Sequence, residues 1–238
     1  MKHFGRFLLS AICCLGLLSA FNANAYIEGK QFQLVGNEVK DNPMVQDLRK
    51  EANGKVQVLE FFSYGCSWCF KLDPYIEKWH KTMPSVVEFQ RIPVEFHPSW
   101  SALTKAYYAQ VNLKAVDKIH SALFDAVQNG RMDDPSEDNL RQFFAPFGVS
   151  EQDFKQTFTS FDVTRQQKWA NAISRAYRIT AVPVVIVQGP TGIYITAVKM
   201  TGSEDELIKV LDYLVKKEST PGAIIRQEQP EGSPSSKL

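Results

Sequence analysis

Cys66 and Cys69 stand as a Cys-x-x-Cys pair in the run Phe61-Phe62-Ser63-Tyr64-Gly65-Cys66-Ser67-Trp68-Cys69. The other two of the four cysteines, Cys13 and Cys14, fall in an apolar N-terminal stretch. Two thiols at this spacing are suited to few kinds of chemistry. A zinc site asks for four ligands, and His80, His97 and His120 show no zinc-finger spacing to the pair. Covalent haem attachment asks for His directly after the second cysteine, where this chain has Phe70. An inert disulfide closing so short a loop adds little stability. Thiol–disulfide exchange remains the strongest reading: a thiolate attacks a disulfide sulfur, and a second thiol resolves the mixed disulfide.

That chemistry needs elements to position it. Val56-Gln57-Val58-Leu59-Glu60-Phe61-Phe62 is apolar and rich in β-branched and aromatic residues, which predicts a buried central strand. A helix is expected from Cys66 to about Met83, with a kink at Pro74, and a second strand over Val86–Val94. Cys66 would then sit at a helix N-terminus, where free N–H groups and the dipole favour a thiolate. Lowering a thiol by about two units takes roughly 2.7 kcal/mol. A helix dipole supplies at most about 2 kcal/mol, so further N–H or S–H donors must face the Cys66 sulfur.

Two more residues stand out. Glu60 places a carboxylate in an apolar strand, where desolvation raises its pKa. Six residues before Cys66, it is placed to exchange a proton as Cys69 reacts; the plain alternative is a strand-edge glutamate facing solvent. Val182-Pro183 heads a later strand. A cis peptide there would expose the Val182 backbone to a substrate strand, and an ordinary trans turn is the alternative.

From Pro98 to about Arg178 the pattern is helical, with starts at Ser136 and Ser150 and stops at Gly130 and Gly148. The final helix of this block is expected over Asp162–Tyr177. Val184–Val187 and Tyr194–Val198, split by Gly189-Pro190-Thr191-Gly192, form a hairpin signal. A last helix follows over Ser203–Lys217, with a Ser cap, early acids and late lysines. The helical block is too long for a single crossover. The expected division is therefore a thioredoxin-like αβ domain over 26–97 and 179–218, an inserted helical domain over 98–178, and a flexible tail over 219–238.

The first 25 residues combine Lys2 and Arg6, an apolar run from Phe7 to Ala20, and Ala23-Asn24-Ala25, which describes a cleavable secretory signal peptide. Its loss takes Lys and Arg from 27 to 25, against 26 Asp and Glu. Near-neutral charge argues against a nucleic-acid binder. Export leads to an oxidising compartment, where a Cys-x-x-Cys pair is redox machinery rather than scaffolding. The terminal Ser236-Lys237-Leu238 matches a peroxisomal address, which the export signal outweighs.

Three islands carry a family resemblance. Val58-Leu59-Glu60-Phe61-Phe62-Ser63-Tyr64, with Cys66 and Cys69, resembles the active-site strand of the DsbA family of exported thiol oxidases. Tyr26-Ile27-Glu28-Gly29-Lys30-Gln31-Phe32 resembles that family's mature N-terminus, and Ala181-Val182-Pro183 its Val–cis-Pro loop. The resemblance implies a thioredoxin fold with an inserted helical domain, a periplasmic location, and a monomer whose only redox group is its own disulfide. It also implies Cys66 as nucleophile, Cys69 as resolving partner, Glu60 as buried acid and Pro183 as the cis-proline, with Ser67, Trp68 and Val182 facing the substrate. The implied partners are unfolded exported proteins with free thiols and a membrane DsbB-like quinone reductase as reoxidant. One departure stands out: the family usually carries Pro-His between its cysteines, and this chain has Ser67-Trp68. Without that His a weaker oxidant is expected. The rival readings are an isomerase or reductase on the same fold, and a peptide-binding holdase without turnover.

Overall fold

The computed structural model describes residues 26–219. The expected signal peptide and the segment beyond Ser219, with its terminal Ser-Lys-Leu, lie outside the described residues. In chain order the elements are β1 (Gln33–Leu34), α1 (Asn37–Lys40), α2 (Pro43–Glu51), β2 (Val56–Phe62), α3 (Ser67–His80) and β3 (Val87–Pro93). Five helices follow: α4 (Ser101–Asn112), α5 (Val116–Gln128), α6 (Glu137–Phe144), α7 (Glu151–Phe158) and α8 (Phe161–Ala176). The chain then returns through β4 (Val184–Gln188), β5 (Ile193–Thr196), α9 (Val198–Thr201) and α10 (Glu204–Ser219).

The strands form one sheet in the order β1-β5-β4-β2-β3. β2 and β3 are parallel, as a crossover through α3 requires, and the other pairs are antiparallel. Every residue of β2 is buried, the signature of a strand covered on both faces. Side chains alternate across the sheet. Val56 and Val58 of β2, with Val185 and Val187 of β4, pack with Leu72 and Ile76 of α3 and Leu211 and Leu214 of α10. Leu59 and Phe61, with Val184 and Ile186, join the core of the helical segment on the other face. By the same alternation Glu60 lies on the α3 side. This is a thioredoxin fold with an all-helical insertion between β3 and β4.

Local chemistry sets the helix ends. The hydroxyls of Ser136, Ser150 and Ser160 accept N–H groups of the first turns of α6, α7 and α8. Gly148 closes its turn at φ 86°, where a side chain would be strained. α3 stops at His80, short of the expected Met83, and runs on through Pro74. Val198, expected at the end of the hairpin, instead begins α9, and Ser219, expected in the tail, ends α10. β1, α1 and α2 are additions that no strong local pattern announced. The β4–β5 turn is held by Glu218, 1 % exposed, whose carboxylate accepts from the Thr191 and Gly192 N–H groups and the Thr191 and Tyr194 hydroxyls. Among the described residues no helix is long and apolar enough to cross a membrane.

Candidate active site

Cys66 is the N-cap residue of α3, in an extended conformation (φ −103°, ψ 113°). Its backbone N–H is bonded to the Ser63 carbonyl, and its own carbonyl accepts from Phe70 N–H. The sulfur thereby takes the place of a capping oxygen and accepts the Cys69 N–H at 3.2 Å. The turn leading in depends on Gly65: a Cβ there would run into the indole of Trp100. Cys66 is partly exposed, whereas Cys69 is fully buried, and both are free thiols.

The two thiols are driven apart in acidity. The Cys66 thiol is pulled down to about 7, chiefly by the hydrogen bond from the Cys69 thiol, against burial and with help from the Cys69 and Trp68 N–H groups. These are the extra donors that the helix dipole alone could not replace. Burial pushes the Cys69 thiol well up, and the Cys66 sulfur and the Glu60 charge add to this.

Glu60 is 1 % exposed, which rules out the solvent-facing alternative. Directly opposite it in the parallel register stands Arg91 of β3. Arg91 Nε donates to Glu60 Oε2 at 2.9 Å, and Arg91 Nη2 donates to Glu77 Oε1 at 2.8 Å and lies 3.8 Å from Asp73 Oδ1. Burial pushes Glu60 up to about 7; Arg91 opposes this, and the charges of Asp73 and Glu77 reinforce it. One guanidinium thus serves three carboxylates. Asp73, Glu77 and His120 also form the group of donors closest to a metal-site arrangement among the described residues. Arg91 contacts both carboxylates and His120 bonds Asp73 and Tyr64, so the donors are already paired.

On the other side of Cys66, its sulfur lies 3.5 Å from the Val182 carbonyl, and the Val182-Pro183 bond is cis. Beside it an open apolar groove of about 610 Å³ is lined by Trp68, Val182, Pro183, Val184, Ala197 and Val198. Ser67 and Trp68 are exposed, Trp68 to 59 %, with Lys71 Nζ 4.3 Å from its ring centre. All seven expected site residues therefore gather at the C-terminal end of β2 and the N-terminus of α3. Arg91, Asp73, Glu77 and the contact of Tyr64 with His120 carry no strong local signal in the sequence. The one available signal was an arginine within the strand Val87–Pro93, since buried charges come in pairs.

Fold and site together define a thioredoxin-fold protein disulfide oxidoreductase, acting through its own cysteine pair. The family described as DSBA-like thioredoxin domain matches residues 57–207. The thiol:disulfide interchange protein DsbA of Burkholderia cepacia is 34% identical over 215 residues, 90% of this chain and 96% of that protein. The DsbA of Pseudomonas aeruginosa is 28% identical over 213 residues, 89% of this chain and 95% of its own length. A crystal structure of Pseudomonas aeruginosa DsbA superposes with a TM-score of 0.68 at 28% identity, covering 82% of this chain and 96% of that one. The chain belongs to the DsbA family.

Proposed function

We propose that this protein is a periplasmic disulfide donor to folding exported proteins, with Cys66 as the exchanging sulfur. In the oxidised form, a client thiolate attacks Cys66, forming a client–Cys66 disulfide and breaking the Cys66–Cys69 bond. Cys69 leaves as a thiolate and takes a proton from Glu60. A second client thiolate then attacks the client sulfur, forming the client disulfide and releasing Cys66 as a thiolate. Reoxidation falls to a membrane DsbB-like quinone reductase, and the protein works as a monomer.

The observation carrying this reading is the asymmetry of the pair: an accessible, capped Cys66 with an acidic thiol beside a buried, weakly acidic Cys69. Glu60, near half-protonated at neutral pH, suits a group that both gives and takes a proton. Pro183, Val182, Ser67 and Trp68 form the face that meets the client, the apolar groove accepting side chains beside the reacting sulfur.

Cys66 with a thiol near 7 is a weaker leaving group than a DsbA nucleophile near 3.5. At about 30 mV per tenfold change in thiolate stability, the less acidic thiol places the potential below a DsbA value of about −120 mV. The proposed potential therefore lies between that value and thioredoxin's, about −270 mV. A reductase reading draws on the same observation, because thioredoxin's thiol also lies near 7. Trapping distinguishes the roles of the two cysteines: Cys69→Ser should accumulate mixed disulfides with exported proteins through Cys66. A Cys66→Ser variant that traps clients instead would reverse the assignment.

A further inference from the structure

Tyr64, two residues before Cys66, points into the interior and is 1 % exposed. Its hydroxyl lies 2.7 Å from His120 Nδ1 and accepts Gln110 Nε2 at 3.0 Å. Its carbonyl accepts Gln128 Nε2 at 2.6 Å. His120 Nε2 lies 3.0 Å from Asp73 Oδ1, and the Ser121 hydroxyl donates to Asp73 Oδ2 at 3.0 Å. Asp73 is four residues after Cys69 and so shares its face of α3. The inserted helices thus grip the loop entering Cys66 and the helix leaving it.

The proton positions follow from charge. Burial pushes the Asp73 carboxyl up, but the His120 hydrogen bond, the His120 charge at the acid pH where that ring is protonated, Arg91 and Ser121 outweigh it and hold it below its ordinary value. An ionised carboxylate only accepts, so His120 Nε2 carries the proton. Burial and the Arg91 charge lower the His120 pKa against the pull of Asp73, which keeps the ring neutral. Nδ1 is then an acceptor, and the Tyr64 hydroxyl donates to it. Both ring nitrogens and both Asp73 oxygens are satisfied at 1 % and 3 % residue exposure.

Asp73 also competes for Arg91. While Asp73 is ionised, the guanidinium is divided among three carboxylates, and Glu60 is incompletely compensated. If Asp73 lost its imidazole donor it would take up a proton more readily, and Arg91 would serve Glu60 more fully. The groups facing Glu60 are Arg91 of β3, Asp73, Glu77 and Cys69 of α3, and Tyr107 of α4. Those facing His120 are Tyr64, Asp73, Tyr107, Arg91 and Glu77.

We propose that His120 is a positioning residue for exchange at Cys66 and Cys69: held neutral between Tyr64 and Asp73, it fixes the Cys66 loop, keeps Asp73 ionised and thereby sets how readily Glu60 carries a proton. This rests on the reading of Glu60 as the proton partner of Cys69.

The test is the pH profile of single-turnover oxidation of a cysteine-containing peptide, with Glu60 carboxyl NMR on the same samples. Wild type should show an inflection near neutrality that Glu60→Gln removes. His120→Leu should move that inflection about one pH unit toward acid. His120→Gln, whose amide N–H can replace Nε2–H, should restore it. Should His120→Leu fail to fold, Asp73→Asn removes the same charge and should give the same shift. Folded variants with an unmoved inflection would reduce His120 to a packing residue and leave Glu60 in place. An inflection that persists in Glu60→Gln would overturn both readings.

Discussion

The Cys66 sulfur owes its acidity to specific donors, and the largest is the Cys69 thiol. Cys69→Ala removes that donor and keeps the backbone N–H bonds. The Cys66 pKa should then rise from about 7 toward its ordinary value, as read from thiolate absorbance against pH; an unchanged midpoint would assign the shift to the helix terminus alone. Glu60 makes the opposite kind of prediction. Its folded pKa, raised to about 7 from 4.5 by burial first, means the folded protein holds a proton that the unfolded chain releases. The stabilising contribution is complete below about pH 4.5 and is lost as pH rises through about 7. Glu60→Gln removes that loss and should gain stability over wild type by up to about 3 kcal/mol more at pH 8 than at pH 4. Denaturant melts at the two pH values check it, and equal differences would refute it. The cysteine pair and Glu60 were readable because each is a local anomaly, whereas the cis form of Val182-Pro183 was legible only through the family resemblance. Arg91 was not, because its pairing depends on the β2–β3 register, which no single segment carries.

The N-terminus of α3 has an exposed Trp68 between its two cysteines. Its indole adds no charge, and only its backbone N–H supports the Cys66 sulfur. Trp68→His should lower the Cys66 pKa and raise the reduction potential, by about 30 mV for each tenfold gain in thiolate stability. No rise in potential would mean that the groove and loop, rather than the intervening dipeptide, set the poise. At the far end of the sheet, Glu218→Ala strips four hydrogen bonds from the β4–β5 turn. A loss of about 3 kcal/mol is expected, since buried donors are left unmet, with the potential unchanged. The long elements were legible because periodicity and Ser caps agree along them. β1, α1 and α9 span only two to four residues, too short for periodicity, and exist through tertiary contacts. Glu218 shows the same limit: at the end of a charged helix it resembles a surface residue until the hairpin packs onto it.

The whole molecule places a reactive pair between two packed faces of one sheet. α3 and α10 cover one face, and the helical insertion extends the core of the other. Through His120, Gln128 and Ser121 the insertion also reaches the loop and helix that carry the cysteines. The insertion was legible as a helical block, but its hold on the site was not, because His120 and Tyr64 are distant in sequence and each alone reads as ordinary core. The central claim is that this assembly donates disulfides with a poise weaker than a DsbA with an acidic thiol near 3.5. The direct test is the redox equilibrium of residues 26–238 in graded glutathione buffers, followed by thiol alkylation. A single two-electron transition between about −120 and −270 mV is predicted. A transition at or below thioredoxin's value of about −270 mV would contradict the account and make the protein a reductant on a DsbA frame.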